Sequence, residues 1–162
     1  MSVANIGKGA GHIKKILVPV DGSETSFKAA NYAVHLAKAA KAELVPINII
    51  EDVKQGGAIG LQARYGNVSI VEAFKKAKKR SAEEWLEKIE KSAEKSGVKT
   101  RSVILDSKGR NEKKILLDYA KKNRFDLIVI GSKGGSRFKG LWIGGFTNFV
   151  VHHSKVPVVV VP

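Results

Sequence analysis

The chain has 162 residues, with 29 Lys and Arg against 15 Asp and Glu for a formal charge of +14, and it contains no cysteine. That length fits one domain of roughly 100–200 residues, and 43% apolar with 27% charged residues is the composition of a folded globular protein. A disulfide framework, a thiolate zinc site and a cysteine nucleophile are excluded, and with no run near the roughly 18–20 apolar residues of a membrane span, nor a signal-peptide core, the expectation is a cytoplasmic protein.

Residues 1–12 are small and Gly-rich and read as a flexible tail, leaving 13–162 as one domain. Ile16, Leu17, Val18, Pro19 and Val20 form a continuously apolar run closed by Asp21, Gly22 and Ser23. This is the pattern of a strand buried on both faces, then a turn. Ser23 or Ser26 is placed to cap the next helix, in which Phe27, Ala30, Val34, Ala37 and Ala40 recur at helical spacing. Residues 44–50 form a second buried run, expected beside and parallel to the first by the handedness of strand–helix–strand units.

Residues 51–67 carry Gly56, Gly57, Gly60 and Gly66 and no period, so an irregular, flap-like connection is expected. Ile70, Phe74, Ala77, Ser81, Trp85, Ile89 and Ala93 then predict a long amphipathic helix stopped at Gly97. A strand over 98–105, a helix over Glu112–Lys122, a buried strand over 126–130, a short helix from about 145 to 154 and a last strand over 156–161 complete the pattern. Five strands alternating with helices predict a doubly wound α/β sheet.

Between the fourth strand and the last helix, residues 131–145 contain six glycines, at 131, 134, 135, 140, 144 and 145. Glycines let backbone amides approach a ligand, and the free N–H groups and positive dipole end of a helix start favour phosphate. Lys133, Arg137 and Lys139 add charge to this loop, and Thr147 adds a hydroxyl on the first turn of the helix. A flexible surface loop with glycines for turns is the plainer alternative. Two phosphate motifs fail: the Gly135 to Gly140 spacing matches a Walker A loop, but Leu141 stands at the lysine position, and no G-x-G-x-x-G follows the first strand.

Gly131-x2-Gly134-x9-Gly144, the terminal Val-Pro-Val-Val-Val-Val and the opening Ile-Leu-Val-Pro-Val-Asp-Gly-Ser together resemble the universal stress protein family over residues 13–162. The resemblance implies a five-stranded parallel sheet in the order 3-2-1-4-5, related to Rossmann-like and adenine nucleotide alpha hydrolase-like folds. It also implies an adenine nucleotide between strands 1 and 4: ATP, or AMP or ADP, with Mg2+ or Mn2+ possible beside it. Pro19, Val20, Asp21 and Ile49 would meet the adenosine part, with Ile130 and Gly131 beside them, while Lys133, Gly134, Arg137, Gly144, Gly145, Phe146 and Thr147 would hold phosphates. ATP-binding members carry Ser or Thr after the third glycine of the motif, where this chain has Gly145; Thr147 matches a second hydroxyl position. A dimeric interaction module without ATP is the alternative within the family. Asp21 has a second reading as a turn residue, and Ile49 as plain strand core.

Other signals carry less. His152 and His153 are neighbours on a helix and point about 100° apart, so they do not share a metal. His12 and His35 are isolated. Lys75, Lys76, Lys78, Lys79 and Arg80 read as a solvated helix face and not a nucleic-acid surface, which would want stacking aromatics. With no general base or activated nucleophile in the pattern, at most slow ATP hydrolysis is expected. The apolar strand over 156–161, with Val156 and Val161 at its ends, would form a sheet edge, and the expectation is a homodimer pairing it with its twin.

Overall fold

A computed structural model describes residues 12–52, 58–133 and 143–162. In chain order its elements are β1 (Lys15–Pro19), α1 (Glu24–Ala40), β2 (Glu43–Ile50), α2 (Ala58–Arg64), α3 (Val68–Lys95), β3 (Val103–Asp106), α4 (Glu112–Lys122), β4 (Leu127–Gly131), α5 (Gly145–His153) and β5 (Val158–Val161). The five strands form one parallel sheet in the order β3-β2-β1-β4-β5. This is the expected doubly wound α/β fold.

Side chains alternate across the central strands, so both faces of the sheet are apolar and both must be covered. Ile16, Val18, Leu44, Leu127 and Val129 face the layer of α1 and α3, where Ala29, Ala33, Ala37, Leu86 and Ala93 are buried. Leu17, Val45, Ile47, Ile128 and Ile130 face the layer of α4 and α5, where Leu116, Ala120 and Val150 complete the core. The alanine stripe of α1 lets that helix lie close to the sheet. Its N-terminus is capped by Ser23, whose Oγ accepts from the Ser26 amide at 3.2 Å.

Two expectations are corrected. The glycine-rich stretch 51–67 contains the short helix α2, packed on α3; Gly60 lies inside it and is buried, so here a glycine serves close packing and not a turn. The third strand is also shorter than 98–105. Leu44 donates to Lys99 O at 2.9 Å and accepts from Arg101 N at 3.3 Å, but two residues on, Pro46 has no amide to continue the ladder. The Ser102 amide turns instead to the Glu90 carboxylate at 2.6 Å. Pairing resumes only at Val103, opposite Ile47.

Candidate functional site

In this strand order the connection from β1 runs to one face of the sheet and the connection from β4 to the other. A crevice therefore opens beyond the C-terminal ends of β1 and β4, where ligands of open α/β sheets collect. A cleft of about 650 Å³ lies there. Of the residues singled out in the sequence, Pro19, Val20, Asp21, Ile49, Ile130, Gly131, Lys133, Phe146 and Thr147 line it. Gly144 and Gly145 are the N-cap and first residue of α5. Gly134, Arg137 and Lys139 lie outside the described residues.

One wall is built by the turn after β1. Val20 N donates to Ile47 O at 2.8 Å, and the Asn48 side-chain amide donates to Val20 O at 2.7 Å, fixing the strand end against β2. Asp21 then behaves as the turn residue of the alternative reading: its Oδ1 accepts from Ser23 N at 3.0 Å and from Ser23 Oγ at 2.5 Å. The carboxylate nonetheless borders the cleft. Gly22 has φ +81°, and a Cβ there would lie 2.4 Å from Trp85 Cζ2, so its backbone is pressed against the indole of α3.

The opposite wall is the neck of the loop after β4. Ser132 N donates to Val161 O at 2.7 Å, Gly144 N donates to Ser132 O at 2.8 Å, and the Thr25 hydroxyl donates to Lys133 O. These bonds bring the two ends of the glycine loop together at the start of α5. A Cβ on Gly131 would stand 2.7 Å from Thr25 O, so this glycine lets the first turn of α1 cross the end of β4. A Cβ on Gly145 would meet nothing within 4 Å among the described residues. Thr147 is buried, and its Oγ1 donates to Gly131 O at 2.7 Å; that hydroxyl ties α5 to β4 and presents only its lone pairs elsewhere.

The three helices that begin along this edge differ at their N-termini. Ser23 caps α1, and Asn111 caps α4 by accepting from Lys113 N at 3.0 Å. Among the described residues no side chain caps α5, whose first turn borders the cleft through Phe146 and Thr147, and the first amides of a helix have no intrahelical partner. An anion is the natural complement of that arrangement.

The cleft also takes residues that periodicity had assigned to helix faces: Lys78 and Trp85 of α3, and Glu112 and Lys113 of α4. One turn before Lys78, Lys75 forms an ion pair with Asp52 at 2.5 Å, and the hydrogen bond to that carboxylate raises the ammonium pKa above its usual value. Lys79 and Arg80 pair along the helix with Glu83 and Glu84 at 3.9 and 3.5 Å, which suits a solvated face. His152 and His153 each approach the carbonyl four residues earlier, and no group of three His, Cys, Asp or Glu suited to a metal occurs among the described residues. Nor is any described helix long and apolar enough to cross a membrane.

A doubly wound parallel sheet with a switch-point cleft and a glycine-rich strand-to-helix connection defines the class: an open α/β protein whose cleft lies at the switch point of the sheet. The model of the universal stress protein family matches residues 12–162, and the chain belongs to that family. A universal stress protein of Methanocaldococcus jannaschii is 33% identical over 156 residues, 96% of this chain and 86% of that one. The structure of the universal stress protein UspA from Lactobacillus plantarum superposes with a TM-score of 0.80 at 24% identity, covering 93% of this chain and 99% of that chain. A universal stress protein from Archaeoglobus fulgidus, solved in complex with dAMP, superposes with a TM-score of 0.63 at 15% identity over 93% of this chain and 99% of that one.

Proposed function

We propose that this universal stress protein binds an adenine nucleotide, ATP, in the cleft between β1 and β4, and works as a nucleotide-dependent switch in the cytoplasm. The observation that carries the reading is the uncapped start of α5, opening on a cleft whose far wall is the Pro19, Val20 and Asp21 turn. Phosphates suit the amides and Lys133 at one end; ribose hydroxyls or an amino group suit the Asp21 carboxylate at the other. The dAMP complex of the Archaeoglobus fulgidus relative supports the same ligand class. Mg2+ or Mn2+ would enter with the nucleotide, held by its phosphates. The half-buried valines of β5, paired on one side only with β4, support a homodimer through that edge. Gel filtration showing a monomer at micromolar concentration would remove the dimer.

The test is a thermal shift with ATP, ADP and AMP. At a hundredfold excess over Kd, binding to the native state adds about 2.7 kcal/mol, a rise of several degrees in Tm. Gly145→Asp is the diagnostic variant. It has space, suits a helix N-terminus, and leaves the fold intact while repelling phosphate, so the shift should vanish. No shift for the natural chain at millimolar nucleotide sinks the reading. The second reading, an interaction module without ATP, gains from Gly145 and from the commitment of the Thr147 hydroxyl to Gly131 O; it predicts that no adenine nucleotide co-purifies, which mass spectrometry of the native protein decides.

A further inference from the structure

The 28-residue helix α3 contributes both to the core and to the cleft. Its C-terminal half buries Ala82, Leu86, Ile89 and Ala93 in the core. Trp85, partly buried against that core between Ala82 and Leu86, and Lys78, nearer the N-terminus of the helix, both line the cleft. They are seven residues apart, just under two turns, so they lie within about 20° of each other around the helix and about 10 Å apart along it.

Both side chains are held, and neither is used up. The indole of Trp85 rests on Gly22, the residue after Asp21, where the missing side chain and φ of +81° make room for it. It is only partly buried. Lys75, one turn away, is spent on Asp52. Lys78 has no carboxylate within ion-pair distance among the described residues, and its ammonium lies 5.1 Å from the Phe74 ring centroid. A partly exposed indole beside the Asp21 turn and a lysine without an ion-pair partner among the described residues therefore line the same cleft. A phosphate has no use for an indole there. A heterocycle does, since its face stacks on the ring and its edge offers acceptors to the lysine.

We propose that Trp85 and Lys78 form the base-recognising wall of this cleft. They select a purine over a pyrimidine nucleotide by stacking and by a hydrogen bond from the Lys78 ammonium to the base edge. The proposal rests on the nucleotide reading above and adds to it the residues that set base preference.

Calorimetric titration of the full chain with ATP and CTP tests it, because the two share their phosphates and ribose and differ in the base. The natural chain should favour ATP. Trp85→Leu and Lys78→Met should each reduce the ATP-to-CTP affinity ratio, by about tenfold for the tryptophan, and Trp85→Phe should keep it within about threefold of the natural value. Lys78→Met changes a side chain with no packing role in the core, so it tests the wall even if Trp85→Leu unfolds. A ratio unchanged in Lys78→Met and Trp85→Leu, or an equal loss for both nucleotides, overturns the proposal while leaving nucleotide binding standing. Failure of the natural chain to bind either nucleotide overturns the nucleotide reading and the wall with it.

Discussion

Gly131 and Gly145 belong to one glycine-rich connection, yet their surroundings are opposite. At Gly131 the first turn of α1 crosses so closely that a Cβ would lie 2.7 Å from Thr25 O. At Gly145 an added Cβ would meet nothing within 4 Å among the described residues. The same contrast holds for the helices involved: α1 fills its N-terminus with the Ser23 side chain, whereas α5 leaves its own open. One side of the switch point is thus closed for the sake of the fold, and on the other the described residues leave space. A glycine motif read only as a ligand loop merges these two functions, and substitution separates them.

The closed side should break first. Gly131→Val forces a branched side chain into the backbone of Thr25, which cannot retreat without lifting α1 from β4, and should cost about 3 kcal/mol by chemical denaturation. Loss of nucleotide binding in that variant would say nothing of ligand contact. A stable Gly131→Val protein would mean that α1 and β4 are not in the close approach described. Thr147→Val comes next: it keeps the shape of a buried residue but removes the 2.7 Å bond to Gly131 O, leaving that carbonyl without its donor, and should cost about 1–3 kcal/mol. An unchanged midpoint would show that the hydroxyl is not held by the strand and is available for other contacts.

Much of this was legible in the sequence because it depends on local order. The continuous run at Ile16, Leu17 and Val18 requires burial on two faces, and the alternation of such runs with helical stripes requires helices on both sides of a parallel sheet. Asp21 has two readings in the sequence, and the structure shows one of them, the turn acceptor, at a position that borders the cleft. What escaped was set by where elements end. Periodicity puts Trp85 in the apolar stripe of α3 and Lys78 on its solvated face but cannot say that a cleft opens beside them, so a core tryptophan and a surface lysine become cleft residues. The helix α2 was hidden by the glycines around it, although Ala58, Leu61, Gln62 and Arg64 favour a helix. Pro46 was read inside a strand without its consequence, a missing donor that delays the start of β3 by the few residues between Thr100 and Val103.

The smallest structural change gives the sharpest test of the open side. Gly145→Ser adds one hydroxyl at the first residue of α5, where a Cβ meets none of the described residues, and should shift stability by less than about 0.5 kcal/mol. If phosphates sit at this N-terminus, the new hydroxyl gains a charge-assisted hydrogen bond to them, and ATP affinity should rise by about tenfold while AMP affinity rises less. Equal gains for ATP and AMP would put the contact at the α-phosphate and turn the ligand in the cleft. No gain for either would mean that the open end of α5 is not where the phosphates lie, and the contrast between Gly131 and Gly145 would then be one of packing alone.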